Sequence, residues 1–88
     1  MEEFSCVRAA AIGRGLFVDM WALLGFEPMT CEDPLDVEGT LRAMDADIGV
    51  VLVEEEWFKK MPERIKKIAL RSIHPVWVLL PGMEAPNL

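Results

Sequence analysis

Positive charge, histidine and cysteine are all scarce in this sequence. Its 88 residues carry 9 lysines and arginines against 15 aspartates and glutamates, for a formal net charge of -6. That balance argues against nucleic acid, because counterion release needs cations facing phosphates, and against an anionic membrane surface. No apolar run approaches the roughly 20 residues of a membrane span. The Met1-Glu2-Glu3 start is acidic rather than the basic opening of a signal peptide. A cytoplasmic chain without direct membrane insertion is expected. The single histidine, His74, has no second histidine with which to share a metal. No serine, threonine or cysteine has a legible base partner, so no nucleophilic site is expected. The Gly13-Arg14-Gly15 turn has no third glycine and no Walker lysine, which leaves the phosphate-binding fingerprint incomplete. No catalytic residue, cofactor or metal is therefore expected.

What is present is an apolar centre. Ile48-Gly49-Val50-Val51-Leu52-Val53 is an unbroken run rich in β-branched residues, with acids on both sides. Strands covered on both faces by helices read this way. The hydrophobic fraction of 52% exceeds the usual 45–50%, which predicts a folded domain with apolar surface to spare. At this length a single domain is expected over residues 1–82, with a short irregular tail over 83–88.

The remaining elements follow in order. Cys6 to Ile12 reads as a first strand. Leu16 to Leu24 reads as a helix whose inward face is expected to be Leu16, Phe17, Met20, Leu23 and Leu24, stopped by Gly25. Val18 and Trp21 widen its apolar surface, either beneath neighbouring loops or as a docking face. Phe26 to Cys31 is a weaker strand, and Pro28 assigns it to a sheet edge. If the first two strands are parallel neighbours, Cys6 and Cys31 lie at opposite ends of the sheet, too far apart to bridge. Asp33-Pro34 opens a second helix with Val37, Leu41 and Met44 inward. A short turn over residues 56–61 and a main helix from Pro62 should bury Trp57, Phe58, Met61, Ile65, Ile68 and Ala69. Lys59, Lys60, Arg64, Lys66, Lys67 and Arg71 form the outer face, either as a solvated surface or as a site for an acidic partner. Val76 to Leu80 is the fourth strand.

Alternating strands and helices predict an α/β, three-layer fold with a parallel sheet. Pro28 at an edge and the apolar run inside give the order 2-1-3-4, a flavodoxin- or receiver-like arrangement with one strand fewer. Its functional rim would carry Gly13, Arg14, Gly15, Glu54, Glu55 and Glu56. A phosphoacceptor receiver needs acids after strand one and an aspartate ending strand three. This chain has Gly13-Arg14 and Glu54 there, so that activity is rejected.

Four stretches together resemble the F subunit of the V-type and archaeal-type (A-type) rotary ATPases. They are Ala11-Ile12-Gly13 with Leu23-Leu24-Gly25-Phe26, then Gly49 to Glu55, then Met61-Pro62-Glu63-Arg64-Ile65, and finally His74 to Gly82 with its Pro-Gly close. The resemblance spans most of residues 9–82. It implies a non-catalytic central-stalk protein that binds the coiled coil of the D subunit. Such a protein helps couple ATP hydrolysis or synthesis to proton or sodium transport, and it lies peripheral to the membrane. It allows contacts with the catalytic head and the stalk base. Arg14, Phe17, Trp21, Glu54, Glu55 and Trp57 are the expected partner-binding residues, with Trp77 a further aromatic anchor if exposed. Two departures stand out: Arg14-Gly15-Leu16-Phe17 and Met20-Trp21 differ from the family's usual residues. The chain also ends at Leu88, without the helix the family carries after the Pro-Gly turn, as a trimmed chain or a natural short form would. The alternative is a receiver-like or small-ligand-binding regulatory module that kept the fold and lost its chemistry.

Overall fold

The structure, a computed structural model, describes residues 8–82. The elements are β1 (Arg8–Gly13), α1 (Gly15–Ala22), β2 (Glu27–Thr30), a 3-10 turn (Pro34–Asp36), α2 (Val37–Arg42), β3 (Ile48–Glu54), α3 (Glu55–Lys59), α4 (Glu63–Arg71) and β4 (Val76–Leu80). The four strands form one parallel sheet in the order β2-β1-β3-β4. The predicted order is therefore the observed one. Pro28 sits on edge strand β2, where a missing N–H costs no ladder bond. The β3 run lies inside, between β1 and β4.

Period-2 alternation divides the core into two layers. Ala10, Ile12, Val51 and Val53 point to one face, where they meet Val37 of α2, Trp57 and Phe58 of α3, and Ile65 and Ala69 of α4. Ala11 and Leu52 point to the other face, which α1 covers with Phe17 and Val18. The three alanines of β1 allow this close approach from both sides. One face thus has three helices and the other has one. Val50 and Leu80 are only partly covered on the α1 side, and Val76 and Val78 are exposed.

The helix boundaries follow local chemistry. The Asp33 side chain accepts from Leu35 N–H at 3.0 Å, with Pro34 next in sequence, as expected of an N-cap followed by proline. Pro62 stands just before α4 rather than inside it. Gly25 takes a positive φ of 98° in the turn that ends α1. Cys31 is a buried free thiol whose Sγ donates to the Asp33 carbonyl at 3.2 Å. Cys6 and the tail over 83–88 lie outside the described residues.

Two packing expectations are corrected. On α1 the inward residues are Phe17, Val18 and, half-buried, Trp21; of the expected face only Phe17 points in. Leu16, Met20, Leu23 and Leu24 are exposed. Nearly every position of this helix is apolar, so two faces satisfy the same three-and-four spacing. The aromatic set wins because its rings find partners: Phe17 and Trp21 lie 6.3 Å apart, and Trp21 meets Phe26 edge-on at 5.2 Å. On α4, Ile65 and Ala69 are buried, but Ile68 is 57% exposed. It faces the six-residue α2, which is too short to cover it.

Candidate partner interface

The rim at the carboxyl ends of the strands is built from the β1–α1 turn, the end of β3 and the loop after β2. Gly13 has φ 144°, which side-chain-bearing residues rarely adopt. The turn it makes sits against the rings of Phe17 and Trp57. Arg14 follows, half-exposed, and its Nη2 donates to Glu54 Oε1 at 3.2 Å. Glu54 is itself buried. The first N–H of α1, on Gly15, donates to Glu32 Oε2 at 2.9 Å. A carboxylate thus occupies the helix end where a phosphate would bind. The adjoining cleft, about 140 Å³, is lined by Arg14, Glu32, Pro34, Glu56, Trp57 and Lys60, so its acids and bases are matched in number.

The expected partner-binding residues divide sharply here. Arg14 and Glu55 are exposed, and Trp21 is half-buried. Phe17, Glu54 and Trp57 are buried within the chain. Trp57 lies under the Gly13 turn, with its indole N–H lacking an acceptor among the described residues. These three shape the rim from beneath. Trp77 is half-buried against Phe58 at 5.9 Å, on the opposite face from α1.

The surface that sequence reasoning missed is the outer side of α1. Leu16, Met20 and Leu23 recur at i, i+4 and i+7 and form a solvent-facing stripe, with Leu16 73% and Leu23 86% exposed. Leu24 extends it past the helix end. Asp19 is the only charged residue in the helix. A helix apolar all round is normally buried all round. That scarcity of charge was the signal in the sequence that could have revealed the stripe. An apolar ridge of this kind fits the apolar seam of another helix.

Comparison with known proteins identifies the family. The family described as ATP synthase (F/14-kDa) subunit matches residues 9–87. The chain belongs to that family. It is also similar to the F subunit of the A-type ATP synthase of Methanococcoides burtonii, 30% identical over 82 residues, covering 90% of this chain and 83% of the relative. No solved structure matches. The four stretches that carry the resemblance to the ATP synthase family all include structural joints. Ala11-Ile12-Gly13 ends β1, Leu23-Leu24-Gly25-Phe26 makes the turn into β2, Gly49 to Glu55 runs from β3 into α3, Met61-Pro62-Glu63 starts α4, and Pro81-Gly82 follows β4. Among the described residues, no helix is long and apolar enough to cross a membrane.

Proposed function

We propose that this chain is a non-catalytic rotor component of a V/A-type ATP synthase, docked through α1 onto the coiled coil of the D subunit. In that role it helps couple ATP hydrolysis or synthesis to proton or sodium transport, on the cytoplasmic side and peripheral to the membrane. Family membership supplies the complex. The observation that carries the docking face is the exposed Leu16-Met20-Leu23 stripe on a helix already packed on its other side. Burying a leucine of this kind contributes about 1.5–3 kcal/mol, so a few such side chains are enough to anchor an interface. Arg14 and Glu55, on the rim beside the helix start, are the polar residues we place at the margin of the contact.

The test is co-purification of the full chain with the D-type partner of the same source, read by native mass spectrometry. A one-to-one complex is expected from the unaltered chain. The double substitution Leu16→Glu, Leu23→Glu should leave the monomer folded and abolish the complex. An undiminished complex from the double variant would remove α1 as the docking face. No complex from the unaltered chain would remove the reading altogether.

A further inference from the structure

The face of the sheet opposite α1 carries a second unfilled surface. Between α2 and α4 runs a groove of about 380 Å³. Its floor is apolar: Leu41 and Met44 come from the α2 side, Ile65, Ile68 and Ala69 from α4, and Trp77 from β4. The polar groups at its end are already engaged. Ser72 Oγ donates to the Pro75 carbonyl at 2.6 Å, and His74 Nε2 lies 3.0 Å from the Ala46 carbonyl. The apolar floor itself gives a small polar ligand little to bond. An apolar ridge would find Ile68 standing open at the lip and the Trp77 ring behind it.

The lips decide the charge of the occupant. Of the chain's 9 lysines and arginines, six lie between Lys59 and Arg71. Arg42 and Arg64 border the groove, and Lys67 and Arg71 continue the Arg64 side of α4 at helical spacing. The carboxylate at the lip, Glu38, is held by two arginines: Arg64 at 2.8 Å across the groove and Arg42 at 3.0 Å along α2. Lys67 and Arg71 are exposed; the charge of Lys67 also acts on Glu63 one turn before it, and Arg71 makes no ion pair among the described residues. An apolar trough between two helices, rimmed by cations in excess on a chain of net charge -6, selects against basic partners.

We propose that the α2/α4 groove is a second docking site, which takes an acidic amphipathic helix of a protein partner. Apolar side chains at i, i+3 or i+4, and i+7 would fill the Leu41-Met44-Ile68-Trp77 trough. Flanking glutamates or aspartates would meet Lys67, Arg71 and the Arg64–Glu38–Arg42 bridge. This site lies on the other side of the sheet from the α1 stripe. The chain can therefore hold two helical partners at once, and failure of either site leaves the other reading standing.

The test uses the full chain, labelled with ¹⁵N, and two synthetic helical peptides. One carries leucines at the stated spacing and glutamates elsewhere; its twin has lysines in place of the glutamates. The acidic peptide should shift the Trp77 indole signal and the backbone signals of α2 and α4, and leave those of α1 in place. Its affinity should fall as salt rises. The lysine twin should bind at least about tenfold more weakly, and so should the acidic peptide to the exposed double variant Lys67→Glu, Arg71→Glu. Equal binding of the two peptides, shifts centred on α1, an unchanged affinity of the variant, or no shift at millimolar peptide would each overturn the proposal.

Discussion

Gly13 and Arg14 show how much a single position can decide at the rim. A methyl group added at Gly13 would find ordinary van der Waals room, 3.8 Å from the Phe17 and Trp57 rings. The backbone is the obstacle, because φ is 144°. Gly13→Ala should therefore destabilise the chain by about 1–3 kcal/mol, read as a shift in the urea midpoint with the slope unchanged. Arg14 matters through its neighbour. Glu54 is buried, and Arg14 donates a charge-assisted hydrogen bond to it. Arg14→Met removes that bond and leaves a carboxylate in a poor environment. Arg14 is half-exposed and Glu54 has a further interaction, so the loss should be about 1–2 kcal/mol. A variant as stable as the unaltered chain would show that the pair contributes nothing.

At the scale of the element, α1 and α4 are opposites. In α4 the buried apolar residues, Ile65 and Ala69, and the charged residues lie on separate sides, although Ile68 and Leu70 are apolar and exposed. In α1 they do not separate, because charge is nearly absent. The two helices should respond to truncation accordingly. Ile65→Ala opens a cavity beneath α4 and should cost about 2–4 kcal/mol. Leu23→Ala should change stability by no more than about 0.5 kcal/mol, although leucine and isoleucine weigh alike in any hydropathy pattern. Parallel denaturation curves of the two variants check this. A large loss at Leu23 would mean that the stripe is packed and not open. Most elements were legible because each has its own punctuation: Asp33-Pro34 before α2, Pro62 before α4, Pro28 on the edge strand and Gly25 after α1. The phase of α1 was not legible, because spacing cannot choose between two apolar faces of one helix.

For the whole molecule, surface electrostatics joins parts that are distant in sequence. Arg8 Nη2 meets Glu27 at 2.7 Å, and its Nη1 meets Asp45 and Asp47, each at 2.9 Å. One guanidinium thus ties β1 to the edge strand β2 and to the loop that enters β3. These bonds hold the Arg8 pKa above its ordinary value. Glu63, at the start of α4, has its pKa lowered below the ordinary value by the hydrogen bond from Lys66 and by that residue's charge. A lowered carboxylate pKa means stability that is present above the unfolded-state value and lost as pH falls through the folded-state value. The melting temperature should therefore hold near neutrality and decline below about pH 4.5. Glu63→Gln should flatten part of that decline. The pair is exposed, so the effect should be small and should weaken further in salt. An acid limb with the same slope in the variant would exclude Glu63 as a contributor.

The sequence by itself determined the order of elements, the parallel sheet, its 2-1-3-4 order and the family. All of these rest on local signals: β-branched runs, prolines that lack an N–H, capping pairs and short motifs at the joints. Tertiary structure alone decided which side of α1 meets the core and which apolar residues elsewhere stay open. The aromatic contacts of Trp21 with Phe17 and Phe26 turned Leu16, Met20 and Leu23 outward. The Gly13 turn placed Trp57 and Phe17 beneath the rim rather than on it. The short α2 left a groove open beside Ile68. Where both sides of a segment are apolar, burial is set by what packs against it from elsewhere in the chain, and periodicity within the segment does not carry that information.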